Sequence, residues 1–151
     1  MVIVLNLLVC LAATLYMTGV IWMVQLAHYP LFAQVGTDAF ATYHQAHQQR
    51  TGLVVMLPMM IEAITTGMLL FLKPSVVPFW LVWLGIVLLA VIWGMTFFIQ
   101  IPYHGQLALS SASERIPLIN GLVVSNWWRT FAWTARSVLL LIMVALVMLH
   151  D

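Results

Sequence analysis

Four long apolar stretches constrain this chain more than any other feature, because they run almost without formal charge. A helix needs roughly 20 apolar residues to cross a hydrocarbon core about 30 Å thick. Four segments are long enough: residues 2–27, residues 52–72, residues 78–99, and a last one from residue 126 or 130 to residue 149. None shows the alternating polarity of a membrane β-strand. The sequence therefore predicts four transmembrane helices.

The composition leads to the same class of protein. Hydrophobic residues make up 64% of the 151-residue chain and charged residues 6%, against about 25% charged in a soluble domain. Five basic and four acidic side chains cannot cover a water-soluble enzyme, and a net charge of +1 offers no basic surface for nucleic acid. The single cysteine, Cys10, excludes an intramolecular disulfide. We predict one all-α domain over residues 1–151: an integral membrane, antiparallel four-helix transmembrane bundle.

The two longer connections between the spans have different predicted structures. Residues 39–50 contain no glycine or proline and carry aromatic and histidine side chains three or four apart, which predicts a short amphipathic helix between the first two spans. Thr37-Asp38 can cap this helix, and the helix can continue into the second span, where Pro58 should kink it. Proline and glycine punctuate residues 100–125, so we expect irregular structure between the last two spans.

Charged residues near the ends of the spans predict the orientation of the bundle. Arg50, Arg115 and Arg129 lie on the side of the longer connections, and only Lys73 lies on the side of the two termini. Cytoplasmic loops carry an excess of lysine and arginine. We therefore expect the longer connections to face the cytoplasm and the termini to face the outside, with the helices in contact with the lipid bilayer.

Two ionisable residues are predicted to lie deep in the membrane. Glu62 lies about ten residues inside the second span, which is about 15 Å from its start at 1.5 Å per residue, and Arg136 lies at a similar depth in the fourth. Each would cost roughly 2.5–3.5 kcal/mol alone at the bilayer centre. Two interpretations stay open: the two form a salt bridge that fixes the helix register, or one of them binds a polar ligand or relays a proton.

One face of the fourth span concentrates hydrogen-bonding groups. Asn126, Arg129, Trp133 and Arg136 follow a three-four-three spacing, which places them on one side of a helix. Guanidinium groups bind carboxylate or phosphate and stack on aromatic rings. This face suits an anionic or quinone-like ligand that comes from the side of the longer connections. The alternative is that Arg129 only reaches out to lipid headgroups.

Four of the five histidines are predicted to lie at one end of the bundle: His28, His44, His47 and His104. Imidazole binds zinc, copper, iron or haem, and two histidines three residues apart on a helix can approach one ion. We therefore consider these four as metal or haem ligands or as proton carriers. The alternative is that they are ordinary interfacial histidines, which hydrogen-bond to tyrosine or to carbonyl groups. The ten methionines favour packing rather than copper transport.

Several short motifs give the chain a family resemblance. They are His28-Tyr29-Pro30, Tyr43-His44-x-x-His47, Pro58-Met59-x-x-Glu62, Pro102-x-His104 and Asn126-Trp127-x-Arg129-Thr130-x-x-Trp133-x-x-Arg136. With these motifs the chain resembles a class of small four-span bacterial membrane proteins, and more distantly the anthrone oxygenase-like family. The resemblance implies a bacterial inner (plasma) membrane and, from the distant family, insertion of oxygen into an electron-rich polycyclic aromatic without a dedicated metal. That family has a histidine at the position of Trp133.

Two functions are open at this point. The first is a membrane oxidoreductase or oxygenase-like protein that binds a metal ion or haem, a hydrophobic aromatic or quinone-like molecule, or both. Its expected catalytic groups are Glu62, Arg129 and Arg136, and its expected cofactor contacts are His28, His104, Asn126 and Trp133. The second is a non-catalytic subunit or assembly factor of a larger membrane complex, or a homo-oligomer. A proton or metal-ion transporter is less favoured, because the first and third spans carry no charge.

Overall fold

The structure, a computed structural model, describes residues 1–150, and nearly all of them are helical. Four helical rods are long and apolar enough to cross a membrane: Val2–Gln34, Thr37–Met68, Phe79–Leu109 and Ala112–Met148. We call them the first to fourth membrane helices. Short turns connect them in an up-and-down order, and the described chain contains no strand. The prediction of an all-α, four-helix membrane bundle is therefore confirmed.

Two of the four membrane helices are continuous and two change their helical pitch. The second is one α-helix, α3 (Thr37–Met68), and the fourth is also one α-helix, α6 (Ala112–Met148). The remaining segments divide the first and third membrane helices: α1 (Val2–Met23), a π-helical turn (Val24–His28), α2 (Tyr29–Leu31), a 3₁₀ turn (Phe32–Gln34), α4 (Phe79–Met95), a second π-helical turn (Thr96–Gln100) and α5 (Ile101–Leu109).

Both π-helical turns end two residues before a proline, Pro30 in the first membrane helix and Pro102 in the third. Proline has no N–H to donate within a helix, and its ring crowds the carbonyl four residues earlier. A wider π-helical turn just before the proline lets the helix continue past it. The first and third membrane helices therefore extend beyond the predicted ends of their spans, residues 27 and 99, and carry histidines with them.

The irregular connection predicted over residues 100–125 is wrong, because only Ser110 and Ser111 interrupt the helices there. Pro102 falls in the first turn of α5, where the missing N–H costs little. Ser111 and Glu114 form a capping box that starts α6. Gly121 leaves room for the ring of Tyr103, whose hydroxyl oxygen lies 2.6 Å from where a Cβ of Gly121 would be. Pro102 and Gly121 are therefore accommodated within helices, at the start of α5 and at a packing contact, rather than in a loop.

The helix predicted over residues 39–50 is confirmed, and it continues into the second span as the first part of α3. The predicted cap is wrong: Gly36 occupies the N-cap position, and no side chain of Thr37 or Asp38 caps the helix. Pro58 lies inside α3 and does not end it.

The first and fourth membrane helices form the centre of the bundle. Within their most apolar stretches 44% of residues are buried, against 22% for the second and 17% for the third membrane helix. Two apolar clusters fill the interior, one around Trp133 at the end of the longer connections and one around Leu140 at the end of the termini. Large apolar side chains such as Leu57 and Phe98 cover the outside, as expected where lipid is the solvent.

The close contact between Gly121 and Tyr103 predicts a position-specific effect on stability. Gly121→Leu should lower the free energy of unfolding by about 1–3 kcal/mol, because the new side chain must displace the tyrosine ring between α5 and α6. Gly94→Leu is the matched control, since a Cβ at Gly94 meets no atom within 4 Å. Reversible unfolding in mixed micelles measures both. Equal stability of the two variants would contradict this packing.

Candidate ligand-binding site

The Glu62 carboxylate is fully buried and accepts hydrogen bonds from two other membrane helices. Its Oε1 atom accepts from Thr14 Oγ1 at 2.7 Å and from Arg136 Nε at 2.8 Å. Its Oε2 atom accepts from Trp133 Nε1 at 3.1 Å. Both oxygens of this intramembrane anion are therefore occupied by donors from the first and fourth membrane helices.

The Arg136 guanidinium, also fully buried, completes the set of contacts around Glu62. Besides the salt bridge from Nε, Nη1 donates to the carbonyl oxygen of Gly85 at 2.6 Å and Nη2 donates to Thr66 Oγ1. Nη2 also approaches the sulfur of Cys10 at 3.5 Å. All four membrane helices meet at these two side chains. This geometry favours the structural interpretation of the pair, and a role of either residue in substrate chemistry stays a prediction.

A second polar layer lies closer to the longer connections and contains Arg129. Asn126 Nδ2 donates to Gln25 Oε1 at 2.9 Å, and Arg129 Nη1 donates to Asn126 Oδ1 at 3.0 Å. The Arg129 guanidinium lies 5.1 Å from the ring centre of Trp133 and beside the Tyr29 hydroxyl. The predicted face of the fourth helix thus points inward: Asn126, Trp133 and Arg136 are fully buried, and Arg129 is 7% exposed.

Arg129 differs from Arg136 because no anion accompanies it. The described residues 1–150 contain a single salt bridge, Glu62–Arg136, and Glu62 is the one buried carboxylate among them. The Nε atom of Arg129 is buried and has no hydrogen-bond partner. Buried polar groups are normally paired, so an exception calls for a ligand or water. The alternative that Arg129 reaches lipid headgroups does not agree with its burial.

The structure brings together the four histidines predicted to share one end of the bundle, and we call His28, His44, His47 and His104 the imidazole layer. Neighbouring rings are tilted by only 28–35° relative to each other. His28 Nε2 lies 2.6 Å from His47 Nδ1, and His44 Nε2 lies 3.0 Å from His104 Nδ1. In each pair one nitrogen donates a proton and the other accepts it, so at least one imidazole of each pair is neutral.

Hydroxyl groups extend both pairs of imidazoles. Tyr29 Oη lies 3.1 Å from His104 Nε2, and Thr51 Oγ1 lies 3.0 Å from His47 Nδ1. Phe32, 1% exposed, packs edge-on against all four rings. The layer is therefore a hydrogen-bonded network on an aromatic support, as the alternative interpretation of these histidines expects.

A metal site finds no support in this arrangement. No group of three or more His, Cys, Asp or Glu side chains among residues 1–150 could hold a metal ion. Zinc–nitrogen bonds of about 2.0–2.1 Å would place two tetrahedral ligand nitrogens about 3.3 Å apart, around a shared point. Here the nitrogens of each pair face each other at hydrogen-bonding distance. The predicted role of the four histidines as metal or haem ligands is therefore not supported.

Two clefts lie along the seam between α3 and α5, next to the imidazole layer. The first, which we call the side cleft, has a volume of about 210 Å³ and is lined mainly by Tyr29, His47, Thr51, Gly52, Ile101 and His104. The second, the end cleft, has a volume of about 260 Å³ and reaches only His44 of the layer. Gln48 lines both. Arg129, Glu62 and Arg136 line neither cleft; Arg129 lies behind the side cleft, next to Tyr29.

Distances along the helices give the depth of these groups. With the Glu62–Arg136 pair at the bilayer centre, Arg129 lies about 10 Å and Gly52 about 15 Å from it, at 1.5 Å per residue. His47, fifteen residues from Glu62, lies about 22 Å away. The hydrocarbon core extends about 15 Å from its centre. With that placement, Arg129 falls inside the hydrocarbon region, the side cleft at its edge, and the imidazole layer at the level of the headgroups.

Sequence reasoning missed several residues that the structure places at these sites. Tyr29 was part of a motif but was given no role, although it joins His104 to the surroundings of Arg129. Thr66, four residues after Glu62, shares its helix face, and that spacing could have indicated the contact. Thr14 and Gln25 carry no comparable signal, because their partners are distant in sequence.

Comparisons with known proteins add no family to this description. No known family, no curated protein and no solved structure matches the chain.

The Glu62–Arg136 pair can be tested with a double-mutant cycle. Glu62→Met or Arg136→Met alone should lower the free energy of unfolding by roughly 3–5 kcal/mol, because each leaves an uncompensated buried charge. The double variant should recover a large part of that loss, since no isolated charge remains. Unfolding in mixed micelles measures the coupling. Additive losses in the double variant would show that the two charges do not stabilise each other.

Proposed function

We propose that this integral membrane protein is of redox type and binds a hydrophobic aromatic or quinone-like molecule in the side cleft. Tyr29, His47 and His104 contact the polar group of that molecule. Arg129, behind the tyrosine, supplies positive charge to the same place. The observation that carries the proposal is Arg129 itself, a buried cation with no anion beside it and with an unpartnered Nε atom.

The cost of burying Arg129 supports a ligand with an electron-rich polar group. A guanidinium within the hydrocarbon region costs roughly 2.5–3.5 kcal/mol if nothing compensates it. Within the protein its guanidinium contacts Asn126, the Tyr29 hydroxyl and the face of the Trp133 ring, none of which is an anion. A carbonyl, phenolate or carboxylate oxygen in the side cleft would lower that cost. Low local polarity makes such an attraction stronger than it is in water.

The size of the side cleft narrows the class of ligand. Pockets that enclose drug-sized molecules have volumes of roughly 300–1,000 Å³, whereas the side cleft has about 210 Å³. It accommodates the head of a quinone or another small aromatic ring, with any tail outside. A haem macrocycle is too large for it. The oxidation of a polycyclic aromatic, which the distant family resemblance implies, also requires more room than this cleft provides.

The imidazole layer gives the proposed site a way to exchange protons. Reduction of a quinone to a quinol takes up two electrons and two protons, so a binding site needs groups that give or accept protons. His104 links the side cleft to His44, and the end cleft connects His44 with the aqueous side. The histidines of this chain supply the groups that give or accept the two protons of such a reaction. The electrons come from a redox partner that exchanges them with the bound quinone.

A non-catalytic subunit or assembly factor is the second candidate function. It predicts an internally satisfied Glu62–Arg136 pair, and the structure contains one. This second candidate does not explain why the protein buries Arg129 at a cost in free energy, because a purely structural bundle has no need of an unpaired intramembrane cation. Under this candidate, alanine at His44 or His47 leaves function intact. A transporter receives less support, since the apolar cluster around Leu140 closes the end of the termini.

The proposed orientation of the bundle in the membrane follows from its remaining loop charges. Arg129 is buried, so it no longer counts as a loop cation, and Arg50 and Arg115 remain on the side of the imidazole layer against Lys73 on the other. The excess still favours a cytoplasmic imidazole layer in a bacterial inner membrane.

Ligand binding tests the proposal directly. The probe is a benzoquinone with one isoprenoid unit, titrated into the protein in lipid nanodiscs and followed by calorimetry. Arg129→Gln should weaken binding at least tenfold, which corresponds to about 1.4 kcal/mol. Arg129→Lys should retain most of the affinity, because it keeps the charge.

Arg50→Gln is the control, since Arg50 is an exposed arginine on α3, and it should bind like the wild type. Failure of the wild-type protein to bind the probe, or equal affinity of Arg129→Gln and Arg50→Gln, would contradict the proposed function.

A further inference from the structure

We propose that the ligand reaches the side cleft from within the membrane leaflet, through the gap between the second and third membrane helices at Gly52 and Ile101. The ligand is then a molecule that dissolves in lipid and carries its polar head to the edge of the hydrocarbon. This inference rests on the proposed function, because it specifies the source of the ligand for the same cleft.

The gap exists because the second and third membrane helices are the outer pair of the bundle. Each packs on a central helix, the second on the first and the third on the fourth, and they touch each other little. At the side cleft one wall is Gly52, which has no side chain and has open space where a Cβ would be. The opposite wall is Ile101, 53% exposed on the outer surface.

The aqueous end of the imidazole layer is closed by aromatic side chains. Phe32 and Phe40 are each 1% exposed. The Phe40 ring lies parallel to the His44 ring, at an interplanar angle of 8°, and the Arg115 guanidinium lies over the Phe40 ring, 4.1 Å from its centre. The end cleft reaches His44, but that histidine is only 1% exposed. The end cleft therefore leads to a buried histidine, and Gln48 is its one lining residue that also lines the side cleft.

Depth and polarity of the side cleft agree with access from lipid. Gly52 lies about 15 Å from the level of Glu62, which is the edge of the hydrocarbon core. The surface of the side cleft is mostly apolar, and its polar lining side chains are those of the tyrosine, the threonine, the two histidines and Gln48. A molecule with an aromatic head and an apolar tail can place the head in the cleft while the tail stays among the acyl chains.

Cysteine labelling tests this route without any ligand. His104→Cys places a thiol on the inner wall of the side cleft, and the native Cys10 is fully buried, so its background labelling is low. The protein in nanodiscs is treated with N-phenylmaleimide, which partitions into lipid, or with a sulfonated maleimide, which stays in water. Thr51→Cys is a second reporter in the same cleft should His104→Cys fold poorly.

Each reporter is then combined with Gly52→Leu, which fills the gap. The glycine is helical and has free space, so leucine should not strain the fold. Gly67→Leu is the matched control on the same helix, because a Cβ at Gly67 also meets no atom within 4 Å. We expect Gly52→Leu to slow labelling by N-phenylmaleimide at least fivefold, Gly67→Leu to leave it unchanged, and the sulfonated reagent to label slowly in all variants.

Two results would overturn the proposed route: equally fast labelling by the sulfonated reagent, or unchanged labelling by N-phenylmaleimide in the Gly52→Leu variant. Both concern access alone. If the labelling is as expected but the protein binds no quinone, the access route is supported and the proposed function is contradicted. If the quinone affinity depends on Arg129 but Gly52→Leu does not change the labelling rate, the proposed function is supported and the access route is contradicted.

Discussion

The arrangement of the four helices depends on one buried ion pair, Glu62–Arg136. Hydrocarbon cannot hydrate either group, and each alone costs roughly 2.5–3.5 kcal/mol at the bilayer centre. A helix register that separates them would leave both charges uncompensated. Thr14 and the carbonyl of Gly85 extend the hydrogen bonds of the pair to the first and third membrane helices. The pair therefore fixes the register and rotation of all four helices, and it uses the one buried carboxylate among residues 1–150.

That use of the carboxylate leaves Arg129, the residue that carries the proposed function, without a counter-ion. Arg129 and Arg136 lie on the same face of one helix and are both buried, but only Arg136 has a counter-ion. A protein selected only for stability would gain by replacing the unpaired arginine. Its position beside Tyr29, which contacts the imidazole layer, agrees with the proposed contact to a polar group of a ligand. The Glu62–Arg136 pair and the proposed ligand contact at Arg129 are thus separate layers of one bundle, about 10 Å apart by helix geometry.

The fold and the inner ion pair were predictable from the sequence, because a hydrocarbon solvent leaves few alternatives. Span length and charge exclusion gave four helices, and matched depth gave Glu62 opposite Arg136. Local signals were less dependable: Pro102 and Gly121 are typical of loops, but a proline fits the first turn of a helix and this glycine makes room for a neighbouring ring. The four histidines could be assigned to one end. The contacts of these histidines could not be predicted from the sequence. They depend on the two π-helical turns, which set the direction of Tyr29 and of its neighbours, and on how the helices pack.

The central claim is that Arg129 has no anion beside it in the protein and that a polar oxygen of the ligand compensates its charge. Placing an anion beside Arg129 within the protein tests this most directly. Asn126 already accepts a hydrogen bond from Arg129, so Asn126→Asp places a carboxylate at that contact. The change in the unfolding midpoint is measured without ligand, in the wild-type background and in the Arg129→Gln background. The account predicts that the aspartate stabilises the protein much more when Arg129 is present than when it is absent. An equal loss of stability in both backgrounds would contradict the account.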